Sequence, residues 1–432
     1  MSRTAAHPNA NVVATLQERG LISQMTESDL PEAAAGRQLY VYCGFDATAP
    51  SQQIGNLVPV MALAHFQRAG HRPILVIGGG TSMIGDPSGK SVERPLLTAE
   101  EVAAHAEQAR KQLSGYLSFE GPNAAILVNN AEWLNRMTLI DYLRDIGKHF
   151  SVNTMLAKES VRSRLDDREH GISYAEFSYM VVQAADFLHL YDELGCTVQI
   201  GGHDQWGNLT AGVDFIRRAR GETVHALTVP LITTSSGAKF GKTAGNALWL
   251  NPEMTTPYEM YQYWINIEDA DVGHFLKVFT FLPLEEIAAI ERAQAKNPAA
   301  RAGQKRLAYE VTKLIHGEAT ARAVAQASSA LFGGEVAELV PEALPHLAAA
   351  VPTTRVPAAR LAAGIPVLDV LVETGAQPSK GAARRLIQQG GLYVNDERWT
   401  APEGTLTSDQ ALFGRAILLR TGKNKYSLLL AE

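Results

Sequence analysis

Residues 39–43 (Leu39-Tyr40-Val41-Tyr42-Cys43) form an unbroken run of aromatic and branched side chains, and residues 57–66 are apolar at nearly every position. That pattern predicts a buried strand, a turn and a buried helix. A second strand is expected over residues 74–77, just before Gly78-Gly79-Gly80. Further on, Ser173 followed by Glu176 has the capping-box spacing that opens a helix, which the apolar period carries through about His189. On that helix Tyr179, Gln183 and Asp186 fall at i, i+4 and i+7 and so share a face. Around them lie Met180, Val181, Ala184, Phe187 and Leu188. A phenol, an amide and a carboxylate are costly to bury without partners, so this face predicts a polar ligand. From residue 256 to about 349 the period is helical, with amphipathic stretches at 258–265, 284–295 and 306–316. Residues 344–357, rich in Pro and Ala, read as a linker, and a new small domain is expected to begin near Arg360.

At 432 residues, 46% of them hydrophobic, the chain has room for two to four domains with real cores. No apolar run approaches the ~20 residues of a membrane span, and the start of the chain lacks a signal-peptide pattern, so a cytoplasmic protein without membrane contact is expected. The two cysteines, Cys43 and Cys196, are far apart in sequence and both in strand-like runs. A disulfide framework or a structural zinc site is therefore not expected. A net charge of -6 argues against indiscriminate nucleic-acid binding, so any RNA contact must come from a local patch. One such patch is expected near the end, with Lys380, Arg384 and Arg385 on a short helix and Arg420, Lys423 and Lys425 at a terminal hairpin.

Two segments almost two hundred residues apart carry candidate nucleotide chemistry. Gln53-Ile54-Gly55-Asn56 sits at the strand-to-helix turn, where a glycine lets a ligand approach the backbone and unpaired amides favour phosphate oxygens. Lys239-Phe240-Gly241-Lys242-Thr243 places two ammonium groups on a glycine-containing loop, suited to the charge that develops when an α-phosphate is attacked. Two other glycine clusters are set aside. Residues 85–91 have three residues between the glycines where a P-loop needs four, and the 78–83 cluster has Met83 where a dinucleotide fingerprint needs its third glycine.

Together with Tyr42-Cys43-Gly44-Phe45-Asp46, Ile84-Gly85-Asp86-Pro87-Ser88-Gly89-Lys90, the 179–186 helix segment and Gln199 to Asn208, these motifs resemble, in order, those of bacterial tyrosyl-tRNA synthetases across nearly the whole chain. The resemblance implies an α/β fold: a Rossmann-type class I catalytic domain over residues 1–250, an α-helical anticodon-recognition domain over 251–350, and over 351–432 a linker with a small α+β S4-type RNA-binding domain. It implies activation of L-tyrosine by ATP, with Mg²⁺ carried by the nucleotide and no metal held by the protein itself, followed by transfer to tRNA(Tyr). Tyr42 and Asp186 would take the phenol, and Tyr179, Gln183 and Asp86 the ammonium group. Thr81, Asn130 and Gln205 would stand behind them. Gly44, Asp46, Gly55, Gly202 and Asp204 would face ATP, with Asp204 on the ribose. Thr48, Gln53, Asn56, Lys239 and Lys242 would meet the reacting phosphates, and Lys90 and Arg94 the departing pyrophosphate. The family forms homodimers, and a helix over residues 138–150 with its neighbours is the expected interface. The chain departs from the class pattern at Gln53 and Asn56, where histidines are usual, and at His203, where a small hydroxyl residue is more usual beside Asp204. A glutamine can donate a hydrogen bond to a phosphate but cannot carry a proton's charge as an imidazole does. Two other readings stay open on sequence grounds: a paralogue that delivers an activated amino acid elsewhere, and an RNA-binding homologue with weakened catalysis.

Overall fold

A computed structural model describes residues 11–26, 29–89, 97–165, 171–235, 237, 240–243, 246–332 and 334–432. Contacts divide the chain into two compact units. The first runs to Met254 and takes in Glu268–Ala295; the second comprises Thr255–Ile267 and Lys296–Glu432.

The first unit is built on a six-stranded sheet: β1 (Gln24–Met25), β2 (Tyr40–Asp46), β3 (Arg72–Gly78), β4 (Ile126–Asn129), β5 (Cys196–Gly202) and β6 (His225–Val229). The strands lie in the order β1-β6-β5-β2-β3-β4, all parallel except β1. Central strands of a parallel sheet are covered on both faces, so they read as continuous apolar runs rather than alternating ones. Ile74, Leu75, Val76 and Ile77 of β3 are all buried for that reason. The helix Leu57–Arg68, which joins β2 to β3, is buried around most of its circumference, as its unbroken apolar run requires. The chain leaves β2 toward β3 and β4, then returns to build β5 and β6 on its other side. The crevice between β2 and β5 is thus a topological switch point, where open α/β sheets receive ligands.

Ser173 and Glu176 do cap the predicted helix: the Glu176 N–H donates to Ser173 Oγ at 3.2 Å, and the Ser173 N–H to Glu176 Oε2 at 3.2 Å. The helix spans Tyr174–Leu194, five residues past His189, because Leu190 still faces the core. Beneath its first turn Arg164 and Glu176 form a buried, two-pronged ion pair at 2.8 and 2.9 Å. The single helix expected over 138–150 is instead three short turns: an α turn Leu139–Asp141 capped by Thr138, a π turn Tyr142–Ile146 and a 3-10 turn Gly147–His149. Leu139, Ile140 and Leu143 stand exposed there, at 69%, 65% and 47%. Cys43 and Cys196, remote in sequence, are buried on the neighbouring strands β2 and β5.

In the second unit, helices Pro257–Ile265, Ala302–His316 and Glu318–Leu331 pack together. A five-stranded sheet follows, in the order Glu397–Arg398, Leu392–Val394, Ala416–Thr421, Lys425–Ala431 and Thr353–Val356. Its two-residue period gives each face a different core. Ile417, Leu419, Leu429 and Ala431 join Val370 and Ile387, whereas Ala416, Leu418, Leu428 and Leu430 join Leu331, Leu344 and Leu347. Residues 344–357 are therefore not a linker. They form the helix Leu344–Ala350 and an edge strand, held because Leu344 and Leu347 are fully buried.

Candidate active site

A cleft of about 490 Å³ opens at the carboxyl ends of β2, β3 and β5. It gathers Tyr42, Gly44, Asp46, Gln53, Gly55, Asn56, Thr81, Asp86, Asn130, Tyr179, Gln183, Asp186, Gly202, Asp204 and Gln205. Most of the residues singled out in the sequence thus line one cavity, although they come from five separate stretches of chain.

At one end Asp186 is buried on the helix Tyr174–Leu194. Trp133 Nε1 donates to its Oδ1 at 2.7 Å, and Asn130 Nδ2 to its Oδ2 at 2.9 Å. Burial raises the carboxyl to about 7; the two donors pull the other way, and Asp46 adds a smaller upward push. The Tyr42 hydroxyl lies buried without a hydrogen-bond partner among the described residues. Its acidity is suppressed first by burial and then by the charge of Asp186, so it stays a neutral phenol. A carboxylate acceptor and an unpartnered hydroxyl donor together ask for a ligand group that can both give and take a hydrogen bond. A phenol does both, and a bare ring does neither.

Asn130 is fully used: its Oδ1 accepts from the Gly80 N–H at 2.7 Å, and its second amide hydrogen goes to Thr81 Oγ1 at 3.0 Å. Thr81 in turn donates to Asp46 Oδ1 at 2.8 Å, and the Tyr179 hydroxyl donates to Asp46 Oδ2 at 3.0 Å. The sequence of donors matters chemically. With its one proton spent on Asp46, the Tyr179 oxygen can present only lone pairs to a ligand. Burial, followed by Asp46 and Asp86, holds that phenol neutral well above its ordinary range. Asp86 accepts from Gln205 Nε2 at 2.5 Å and from the Ser88 N–H at 2.9 Å. Acceptors and carboxylates converge here, which suits a cation such as an ammonium group. Gly78 ends β3 beside this network, and a Cβ there would run into Asp46 Oδ1 and stand 2.6 Å from Thr81 Oγ1.

At the other end the turn after β2 meets the glycine-containing loop. The Ile54 N–H donates to Leu248 O at 2.9 Å, Leu250 N–H to Gln52 O at 2.9 Å, and Leu248 N–H to Gly241 O at 2.9 Å. Gly241 has φ +78, and a Cβ on it would lie 2.6 Å from Ile54 Cγ2. The two motifs that are distant in sequence are thus stitched into one wall. Gln53 is exposed at this wall, and its N–H donates to Asn56 Oδ1 at 3.0 Å. Asp204 stands exposed in the short turn His203–Gln205. His203 Nδ1 and Ser23 Oγ are 2.9 Å apart, a polar loop contact. Thr48 is half-buried just past β2 and outside the residues that line the cleft. Lys90, Arg94 and Lys239 lie outside the described residues, as does the side chain of Lys242, whose backbone forms a two-residue strand.

This cleft sits within a stretch that matches the family model "tRNA synthetases class I (W and Y)" over residues 34–333. The chain belongs to that family. A second model, the "Tyrosine--tRNA ligase SYY-like C-terminal domain", matches residues 346–429 of the synthetase. Tyrosine–tRNA ligases of Roseiflexus castenholzii and Corynebacterium glutamicum are 46% and 48% identical to it, each match covering 96% of this chain and 98% of the relative. A C-terminally truncated mitochondrial tyrosyl-tRNA synthetase of Aspergillus nidulans superposes with a TM-score of 0.67 at 32% identity, covering 73% of this chain and 93% of that one.

Sequence reasoning missed three polar groups that stand behind the lining of the synthetase's cleft. Trp133 was readable in part, since an indole in an otherwise polar Asn-Asn-Ala-Glu-Trp stretch needs a partner for its N–H when covered. Asn208 bonds Ser88 Oγ at 3.2 Å and Gln205 Oε1 at 3.0 Å, and Ser82 Oγ accepts from the Ala47 N–H at 2.7 Å. Neither carries a local signal, because their partners lie more than thirty residues away or in a turn of no fixed pattern.

Proposed function

We infer that this class I synthetase is a tyrosine–tRNA ligase, which activates L-tyrosine with ATP and passes the tyrosyl group to tRNA(Tyr). The observation that carries the reading is the Asp186–Tyr42 pair at the closed end of the cleft, a buried acceptor and a buried unpartnered donor. Tyrosine satisfies both groups; phenylalanine leaves the Tyr42 hydroxyl unpaired and offers the buried Asp186 carboxyl, held by Trp133 and Asn130, no donor of its own. Tyrosyl-tRNA synthetases are the established example of this kind of rejection, which is strong enough to need no editing.

In this reading Tyr179, Gln183 and Asp86 hold the ammonium group, with Asp46 and Thr81 setting the acceptor face of Tyr179. The tyrosine carboxylate then attacks the α-phosphate in line, giving tyrosyl-adenylate and pyrophosphate, and a terminal ribose hydroxyl of the tRNA takes the tyrosyl group. No protein nucleophile is involved. Thr48, Gln53, Asn56, Lys239 and Lys242 serve the reacting phosphates, Lys90 and Arg94 the departing pyrophosphate, and Gly44, Gly55, Gly202 and Asp204 face ATP, with Asp204 on the ribose. Positioning and charge stabilisation supply the catalysis. Mg²⁺ arrives on the ATP phosphates. Residues 1–250 serve activation, 251–350 the anticodon and 351–432 RNA binding through an S4-type module. Support for the RNA role comes from a groove of about 1000 Å³ in the second unit, lined by Arg420, Lys423 and Lys425 and by Phe332, which is 75% exposed. Cations and an open aromatic face together suit RNA phosphates and an unstacked base. Lys380 and Arg384 lie elsewhere on that unit's surface, paired with Asp369 and Glu403, beside the exposed Arg385. Exposed Leu139, Ile140 and Leu143 support a homodimer. No described helix is long and apolar enough to cross a membrane, and the cytoplasm is the proposed compartment.

The test is charging of a tRNA(Tyr) transcript with labelled tyrosine, with Gln53→His alongside. Charging by the native chain is expected. Charging only by Gln53→His would mark a weakened relative, and charging by neither would overturn the assignment.

A further inference from the structure

The glycine-containing loop has a seat. Phe240 rests on two rings of the helix Asp269–Phe279, with centroids 5.2 Å from Phe275 and 5.2 Å from Phe279, the latter nearly parallel at 24°. Ahead of the loop the Ser235 N–H donates to Asp271 Oδ1 at 2.9 Å and the Ser235 hydroxyl to Asp271 Oδ2 at 3.2 Å. Asp271 is 6% exposed, so both its oxygens are committed in a dry place. The carboxyl end of the same helix is clamped in turn by Arg19, whose guanidinium donates to Lys277 O at 3.0 Å, Thr280 O at 2.9 Å and Leu282 O at 2.6 Å. On the loop's other side Gly241 touches Ile54, next to Gln53.

We propose that Asp271, Phe275 and Phe279 are positioning residues for adenylate formation: they hold the chain at Ser235, ahead of the loop, and at Phe240 within it, and so set where the ammonium groups of Lys239 and Lys242 meet the triphosphate. None of the three lines the cleft, and the helix that carries them lies outside every motif that marks the chemistry. The physical case rests on where a flexible cation gets its precision. A lysine carries its charge on a flexible four-carbon stem, so where the ammonium group can reach depends on where its backbone is held. Here the described chain on either side of Lys239 is held at Phe240, packed on the rings of Phe275 and Phe279, and at Ser235, held by the Asp271 carboxylate. Loosening either lets the loop drift while the tyrosine pocket, built on β2, β3 and the helix Tyr174–Leu194, keeps its shape.

This inference rests on the reading that the 239–243 loop serves the phosphates, so the experiment separates the two. Tyrosine-dependent ATP–pyrophosphate exchange is measured for Asp271→Ala, Asp271→Asn, Phe279→Leu and Lys242→Ala, with thermal unfolding of each. A small misplacement of a catalytic group costs roughly tenfold to a hundredfold in rate, so Asp271→Ala and Phe279→Leu are each expected to lower kcat in that range. KM for tyrosine should stay within about twofold of the parent value, since the tyrosine pocket is not touched and a tenfold change would need 1.4 kcal/mol of lost binding. Asp271→Asn, which keeps an acceptor for the Ser235 N–H, should recover much of the rate. Loss of kcat in Lys242→Ala but not in Asp271→Ala or Phe279→Leu overturns the seat and leaves the loop reading standing. An unaltered rate in Lys242→Ala removes that reading itself. A rise in tyrosine KM that matches the fall in kcat also overturns the proposal, as it would show a general loosening of the unit.

Discussion

Asp186 shows how much one buried side chain can decide. Its carboxyl ionises near 7 in the folded chain, against about 3.9 for an unfolded aspartate. Between those values the folded state binds more protons than the unfolded one, so the residue's contribution to stability falls as pH rises through that window. Asp186→Asn removes the titration. The melting temperature of the variant relative to the parent is therefore expected to be higher at pH 8 than at pH 5, by differential scanning calorimetry without substrate; a pH-independent difference would show that Asp186 is not the group concerned. Under the proposed function the charged form faces the substrate's hydroxyl, which offsets that cost. That Asp186, Gln183 and Tyr179 share a face was legible from their spacing alone. Trp133 and Asn130 as the partners of Asp186 were not, because the indole and the amide reach it from more than fifty residues away.

At the scale of elements, the helix Tyr174–Leu194 brings Tyr179, Gln183 and Asp186 to the cleft and is anchored at its start by Arg164 and Glu176, exposed by only 2% and 3%. Breaking a buried pair leaves one charge dry, which costs about 3–5 kcal/mol, whereas replacing both members with apolar groups is often neutral. Arg164→Met is expected to destabilise by about 3 kcal/mol or more in urea unfolding, and Arg164→Met with Glu176→Leu to recover most of that. A double variant as unstable as the single one would refute the argument. The capping box and the helix start were readable from Ser173 and Glu176, since both partners sit within one turn. The three-part breakdown of residues 139–149 was not, since a π turn has no period of its own in the apolar pattern. The supposed linker over 344–357 failed for a related reason. Proline at a first helical turn and alanine throughout are as compatible with a packed helix as with a spacer, and only the burial of Leu344 and Leu347 distinguishes them.

For the whole molecule, the exposed apolar residues over 139–156 have a consequence in solution. Leu139, Ile140, Leu143 and Val152 are all more than 45% exposed, and apolar side chains exposed close together in sequence suit a protein–protein contact. Ile140→Glu with Leu143→Glu is expected to shift the mass in sedimentation equilibrium from dimer toward monomer, with far-UV circular dichroism unchanged. A parent that sediments as a monomer would dispose of the dimer. The same scale explains why the loop's seat on Asp269–Phe279 was invisible beforehand: that helix lies about thirty residues beyond the loop and is framed in sequence by segments of the second unit.

Local chemistry sufficed to determine the capped helix Tyr174–Leu194, the buried strands and the polar stripe of Tyr179, Gln183 and Asp186. All of these depend on neighbours within a turn or a strand, which composition and period record. The tertiary structure alone decided which groups spend their protons on each other. The run from Asn130 through Thr81 and Asp46 to Tyr179 joins residues 46 to 179, and it turns Tyr179 from a donor into an acceptor. A hydroxyl's role depends on its partner, and here each partner is brought in by a different strand or helix of the sheet.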